Sequence, residues 1–309
     1  MSSSRNDSVR FPVIMGATAS GKTALAVRLA LRLGGEVISA DSMQVYRGLA
    51  IGTAKPSPEE RAGIPHHLID IADITEKYDV FRFCSDAEKL ITEIRSRGKV
   101  PVAAGGTGLY LRGLLYGLDP LPASESLRQE LDSQYDNEAH FPELQKIMQE
   151  KAPQDYEKFH QHRRKLIRAY EVLLLTGNQM TKLQQTWKTA ECRRDARSFV
   201  LEWDNAVLRE RISRRCSEML ASGWIDEAER FIREGLHDSP TAWQVLGYRQ
   251  IAEYLNGKLR RDELHDRITT ATWQFARRQN TWFRTQHPEA KRIPMPEPAA
   301  EEIIVENLQ

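Results

Sequence analysis

The sequence predicts an α/β fold, a parallel sheet flanked by helices, with an all-helical insertion domain set into it. Three observations carry this. Strand-like and helix-like segments alternate over the first 120 residues, the pattern of a parallel sheet covered on both faces. Residues 127–150 and 155–176 read as helix throughout, and a β-favouring run returns only at Ser198–Trp203. At 309 residues the chain exceeds the usual single-domain size, which suits one large domain carrying a smaller one. The expected organisation is a flexible leader over 1–10, a core of 11–120 plus 198–309, and an insertion over 121–197.

The first strand is Phe11–Met15, an apolar run that reaches glycine at once. Leu25, Leu29 and Leu33 then share one helical face before Gly34-Gly35 stops the helix. A second strand, Glu36–Ala40, leads into Asp41-Ser42. Ser57-Pro58-Glu59-Glu60 combines an N-cap serine, a proline at the first helical position and a capping-box glutamate, so a helix is expected there. Phe81–Arg97 reads as an amphipathic helix, Val100–Ala104 as a strand, and Gly105-Gly106-Thr107-Gly108 opens a helix over Leu109–Leu115. From Leu208 onward the chain is helical, broken at Gly223, Gly235, Gly257 and the proline-rich IPMPEPAA.

Composition excludes several classes. With 40% hydrophobic and 28% charged residues the chain is an ordinary globular protein. No run of about 18 uncharged apolar residues occurs, and MSSSRNDSVR lacks the apolar stretch of a secretory signal, so a cytoplasmic protein without membrane insertion is expected. Cys84, Cys192 and Cys216 lack Cys-x-x-Cys spacing, which argues against a disulfide framework or a zinc ribbon. Net charge is only +1, but residues 151–220 hold 15 basic and 9 acidic side chains against 17 and 20 in residues 1–150. The basic middle is compatible with a polyanionic partner.

Gly16-Ala17-Thr18-Ala19-Ser20-Gly21-Lys22-Thr23 fits G-x-x-x-x-G-K-[ST] between a predicted strand and a predicted helix. The glycines let the backbone curl so that N–H groups point inward, the helix N-terminus adds positive potential, Lys22 supplies a mobile charge, and Thr23 can ligate Mg²⁺ held on phosphate oxygens. The fold is therefore expected to be P-loop NTPase-like. Such a loop binds a diphosphate without regard to what hangs from it: a nucleotide is the default, and other diphosphates stay open.

Nucleotide-hydrolysing P-loop machines carry a second strand ending in an acid; here Val100–Ala104 ends in Gly-Gly-Thr. The acid at a strand end is Asp41, which would lie by the phosphate pocket and could take a proton from an incoming hydroxyl or amine. Its alternative reading is a helix or turn cap. Thr107, in a glycine-rich turn before a helix, could hold a leaving oxygen or a base edge.

GATASGKT, ISADSMQVYRGLAIGTAKPS and GGTGLYLRGLLYGL, in that order and spacing, closely resemble the bacterial tRNA dimethylallyltransferases, also called tRNA isopentenyltransferases. RKLIRAYEVLLLTG, RISRRCSEMLASG, VLGYRQ and ARRQNTWFR look like the family's later segments, so the likeness spans nearly the whole chain. The resemblance implies that the P-loop, Thr18 to Thr23 closest, holds the diphosphate of dimethylallyl diphosphate with Mg²⁺. It also implies that Lys22 stabilises the leaving diphosphate, and that Asp41 takes a proton from the adenine N6 amine as it attacks the allylic carbon. The acceptor would be the adenosine immediately 3′ of the anticodon in tRNA. Thr107 matches a contact with RNA and reacting groups. Arg211 matches an arginine on the donor diphosphate, with Arg215 one helical turn away as the alternative.

For the tRNA anticodon stem-loop the likeness points to Asp41, Ser42, Met43 and Gln44, to Arg128, to Arg164, Lys165, Leu166, Ile167 and Arg168, and to Gln244, Val245, Leu246, Gly247, Tyr248 and Arg249. Arg164, Lys165 and Arg168 also fall close together on a predicted helix, where phosphate contacts would position a stem. The stacked target base must be flipped out, and the helical insertion is the expected clamp. Tyr170 and Trp187 read as core rather than stacking residues. Ala17 stands where the pattern has proline, a small change because backbone amides touch phosphate. An asymmetric RNA partner makes a monomer the expected state. Competing readings are a P-loop small-molecule kinase and an adenylate isopentenyltransferase acting on free AMP, ADP or ATP.

Overall fold

In a computed structural model, residues 10–239 and 241–308 are described, apart from the side chains of 187 and 188. The predicted leader and the Trp187 side chain lie outside these, except that Arg10, counted with the leader, donates through Nε to the Arg194 carbonyl at 3.1 Å.

β1 (Phe11–Gly16) is buried at every position, as a strand covered on both faces must be. α1 (Lys22–Leu33) follows it and buries Leu25 and Leu29 against the sheet, with Leu33 packed at the edge of the same cluster. It ends on Gly34, whose left-handed φ of 62° and N–H bond to Ala30 O close the last turn. β2 (Gly35–Ser39), β3 (His66–His67), α2 (Val80–Ser96), β4 (Val100–Gly105) and α3 (Gly108–Tyr116) complete the first half. β5 (Ala196–Trp203) returns the chain to the sheet, and β6 (Lys291–Met295) completes it. The strands are parallel in the order β3-β2-β4-β1-β5-β6.

Contacts divide the chain into a core of residues 1–115 with 193–309 and a unit Tyr116–Cys192, against expected insertion limits of 121 and 197. This second unit holds α4 (Glu125–Tyr135), α5 (Phe141–Lys151), α6 (Pro153–Phe159), α7 (Arg163–Thr176), α8 (Met180–Leu183) and α9 (Thr186–Thr189). Its own core gathers Leu131, Leu144, Met148, Leu166, Ile167 and Val172. Tyr170 packs against this cluster, its ring edge-on to Tyr135. The core continues as α10 (Asn205–Ala221), α11 (Trp224–Arg233), α12 (Tyr248–Leu255), α13 (Arg261–Gln286) and α14 (Ala300–Glu306). Among the described residues no helix is long and apolar enough to cross a membrane.

The structure corrects two expectations about elements. No helix begins at Ser57. The capping box itself forms, Glu60 N donating to Ser57 Oγ at 3.2 Å and Ser57 N to the Glu60 carboxylate at 2.8 Å. The turn then fails to propagate because Ala62 takes a left-handed φ of 48° ahead of Gly63 and Pro65. Conversely, the proline-rich end hides β6, which tolerates Pro294 because it is an edge strand.

The charge argument also changes. Counted over its compact unit, Tyr116–Cys192 carries ten Lys and Arg against twelve Asp and Glu. The basic excess of residues 151–220 came from a window that cut across this unit and took in the arginines of α10.

Candidate active site

The carboxyl ends of β1, β2 and β4 open into a cavity of about 410 Å³, the place where parallel α/β sheets bind ligands. Three loops supply its chemistry. The P-loop leaves β1, Asp41 follows β2, and Thr107 follows β4. Lys22, Thr23, Asp41 and Thr107 all line the cavity, as do Ser42, Met43 and Gln44.

The P-loop is held from several sides. Gly21 sits at φ 89°, a conformation that carries the chain into α1 and that a side chain would strain. Ser20 N donates to Ala17 O, and Lys22 Nζ donates to the same carbonyl at 2.7 Å. Thr18 N donates to the Gln279 side-chain oxygen at 2.9 Å. Trp203 Nε1 donates to Ser20 O at 3.0 Å. The N-terminal amides of α1 lack a carbonyl one turn back, which leaves them for an anion. Burial, reinforced by the nearby Arg215 and opposed by Asp41, lowers the Lys22 pKa to about 8.

The two arginines left open by the sequence take different places. Arg211 lies with its guanidinium 4.2 Å from the Trp203 ring centroid and donates through Nε to Ala19 O at 2.9 Å. Arg215 lines the cavity and reaches Thr18 Oγ1 at 3.4 Å. Burial lowers the pKa of both from the usual arginine range. Arg211 therefore braces the loop, and Arg215 faces the space.

Asp41 realises part of its alternative reading. Oδ1 caps a turn, accepting from Met43 N at 2.9 Å and Gln44 N at 3.4 Å. Among the described residues Oδ2 has no hydrogen-bond partner. Thr107 Oγ1 accepts from Ser42 N at 2.9 Å and donates to Ser42 Oγ at 3.2 Å, tying the β4 turn to the β2 turn. The Gln44 side chain, expected on RNA, is buried and satisfied internally: its amide donates to the carbonyls of Thr53 and Ala54, and its oxygen accepts from Ser39.

Of the segment after α11, Gln244, Val245 and Leu246 line the cavity. Arg249 is exposed, with its guanidinium over Trp243. Gly247 and Tyr248 are buried, and Tyr248 is corrected from an RNA contact to a support, its hydroxyl donating to Glu227 at 2.5 Å.

In the second unit Arg164 and Lys165 are exposed. Leu166 and Ile167 are corrected: both have no exposed surface and belong to the unit's apolar core, so RNA cannot reach their side chains. Arg128 and Arg168 both pair with Glu171, which is 1% exposed and also accepts from Ser124 N at 2.9 Å. Burial alone would raise the Glu171 pKa, but the bonds from Arg168, Ser124 and Arg128 outweigh it and hold the carboxyl below its ordinary value. These two arginines knit the unit's helices together before any partner is considered.

The sequence reading missed three cavity residues on α13, Phe275, Arg278 and Gln279. The segment ARRQNTWFR, which holds Arg278 and Gln279 and directly follows Phe275, was visible, but no periodicity shows that Gln279 faces a loop 261 residues away. It also missed Glu227, whose carboxylate accepts from the amides of Ala50, Ile51 and Gly52, each at 2.9 Å.

The IPP transferase family model matches residues 44–286. The chain is 42% identical over 282 residues to tRNA dimethylallyltransferase 2 of Syntrophus aciditrophicus, covering 89% of this chain and 88% of that protein. It is 43% identical over 279 residues to the tRNA dimethylallyltransferase of Halorhodospira halophila, covering 88% and 89%. Among solved structures, the full-length tRNA isopentenylpyrophosphate transferase of Bacillus halodurans superposes with a TM-score of 0.70 at 36% identity, covering 96% of this chain and 94% of that one. A eukaryotic dimethylallyltransferase acting on tRNA superposes with a TM-score of 0.78 at 26% identity, covering 97% and 77%. With its parallel sheet, its P-loop and these likenesses over about nine-tenths of its length, the chain belongs to the IPP transferase family.

Proposed function

We propose that the chain is a tRNA dimethylallyltransferase, moving the dimethylallyl group of dimethylallyl diphosphate to N6 of the adenosine immediately 3′ of the anticodon and releasing diphosphate. The observation that carries the chemistry is that Lys22, Arg215 and the Asp41 carboxylate line one cavity. The cations suit a diphosphate, and the acceptor-only carboxylate in the same lining suits an amine.

The N6 lone pair attacks C1 of the allyl group while the C1–O bond breaks and its electron pair leaves with the diphosphate. Lys22, Arg215 and the first-turn amides of α1 stabilise the charge that grows there. Asp41 Oδ2 takes the proton that N6 loses. An allylic carbon tolerates positive charge, so positioning and electrostatics suffice without a strong base.

The cavity lining offers one carboxylate, Asp41, and, at the end of the P-loop, the Thr23 hydroxyl as oxygen ligands for a phosphate-bound metal. That set is too small for a cation held by protein alone, and it fits Mg²⁺ held by Thr23 together with the donor's phosphate oxygens. Bound there, Mg²⁺ supplies charge neutralisation to the leaving group. Exposed Arg164 and Lys165 are the insertion residues suited to tRNA phosphates.

The test is transfer of label from dimethylallyl diphosphate to unmodified tRNA bearing adenosine 3′ of the anticodon, with Mg²⁺, followed by nucleoside digestion. Label in N6-dimethylallyladenosine from tRNA and none in AMP supports this reading. Label in AMP alone overturns it.

A further inference from the structure

We propose that Gln279 is a positioning residue that fixes the donor-binding loop relative to the acceptor-side turn, an inference that rests on the function proposed above. Gln279 lies on α13, outside all three loops that carry the chemistry, and is 8% exposed. Its Oε1 accepts from Thr18 N at 2.9 Å, and its Nε2 donates to Gly106 O at 2.8 Å. One side chain thus joins the P-loop to the turn that presents Thr107.

The two backbone groups have opposite needs. Thr18 offers a donor and Gly106 an acceptor, and an uncharged amide carries both complements in one plane. A carboxylate could satisfy only Thr18, and an apolar isostere neither. The approach is close: a Cβ placed on Gly106 would lie 2.5 Å from Nε2, so the amide occupies the space that a side chain there would need. β1 and β4 are adjacent, with Met15 opposite Gly105, and each loop leaves its strand just beyond that pair. Sheet hydrogen bonds fix the strands up to this register, and Gln279 extends the constraint into the loops.

Leaving-group stabilisation is organised by the P-loop, while Thr107 holds the Ser42 amide next to Asp41. A change in their relative position alters the approach of N6 to C1 without removing any group that binds a substrate. Misplacement by about 1 Å can cost on the order of a hundredfold in rate. The loss should therefore appear in turnover rather than in affinity.

The experiment compares wild type, Gln279→Met and Gln279→Glu as full chains. It measures thermal midpoints, the dissociation constant of inorganic pyrophosphate, KM for tRNA, and transfer rate with both substrates saturating. The expected result for Gln279→Met is a fall in kcat of roughly 100-fold, with pyrophosphate affinity and tRNA KM within about threefold of wild type. Gln279→Glu keeps the Thr18 bond and loses the Gly106 bond, so it should also fall; it is the variant to read if the methionine chain does not fold. A kcat within about twofold of wild type in either folded variant overturns the proposal, as does a loss confined to pyrophosphate affinity. A wild type that binds pyrophosphate yet prenylates no tRNA overturns the parent reading, and this one with it.

Discussion

Lys22 Nζ donates to the Ala17 carbonyl at 2.7 Å, so the mobile cation of the P-loop is folded back on the loop's own backbone. Burial and then Arg215 hold its pKa at about 8. A bound diphosphate favours the charged form and raises that value. Binding therefore takes up a proton once the pH exceeds about 8, and affinity is greatest below that point. Above it, affinity falls by up to about tenfold per pH unit until the bound-state pKa is reached. Calorimetric titration of pyrophosphate at pH 7 and pH 9, in buffers of different ionisation enthalpy, checks both the weakening and the proton uptake. A dissociation constant independent of pH refutes it.

Asp41→Asn separates the two jobs of that side chain. The amide oxygen still accepts from Met43 N and Gln44 N, so the turn should persist, whereas the base is gone. Transfer should slow by about 10²–10⁴-fold at saturating substrates, the range of general-base catalysis. The thermal midpoint should stay within a few degrees of wild type. Asp41→Ala removes both functions and should add a loss of stability to the loss of rate.

Arg215→Met and Arg211→Met test which arginine meets the donor. Arg215 lines the cavity, and removing a charge-assisted contact should raise KM for dimethylallyl diphosphate by about 10–100-fold. Arg211 braces Ala19 and stacks on Trp203, so its loss should act through the loop with an effect of only a few-fold. Steady-state kinetics in varied donor at saturating tRNA decides it. The reverse order would make Arg211 the donor ligand.

Glu227→Ala removes the acceptor for three consecutive amides and for the Tyr248 hydroxyl. Those amides belong to the loop whose Gly52, Thr53 and Ala54 line the cavity. The expected cost is about 2–3 kcal/mol of stability. Hydrogen exchange should accelerate at Ala50–Gly52 before it does in β1 or β4, and protection that survives in the variant would show that the loop is held some other way.

The parts of the molecule legible in the sequence are those whose signal is local. The P-loop declares itself by spacing, Asp41 by standing where a strand ends, and the helices of the insertion by periodicity. What escaped the reading depends on contacts made far along the chain. Nothing near Gln279 announces Thr18 or Gly106, and nothing near Glu227 announces the amides of Ala50–Gly52. Ser57–Glu60 failed in the opposite sense: its capping signal was locally correct, but Ala62 and Gly63 turned the chain before a second helical turn could form. The family likeness reached Leu166, Ile167 and Tyr248, yet a likeness in sequence does not separate a residue kept for packing from one kept for contact.

β4 lies between β1 and β2, so the strand that launches the diphosphate loop and the strand that ends at Asp41 stand two strand spacings apart, about 9.6 Å. That interval is set by backbone ladders, and Gln279 carries it beyond the strand ends into the loops. The sheet thereby acts as a ruler for the reaction: substitutions of Lys22, Arg215 or Asp41 retune charge or grip at either end, while the strands beneath keep the same gauge. Redesign toward a longer allylic donor would have to be made in the walls of the cavity, because the floor is of fixed pitch.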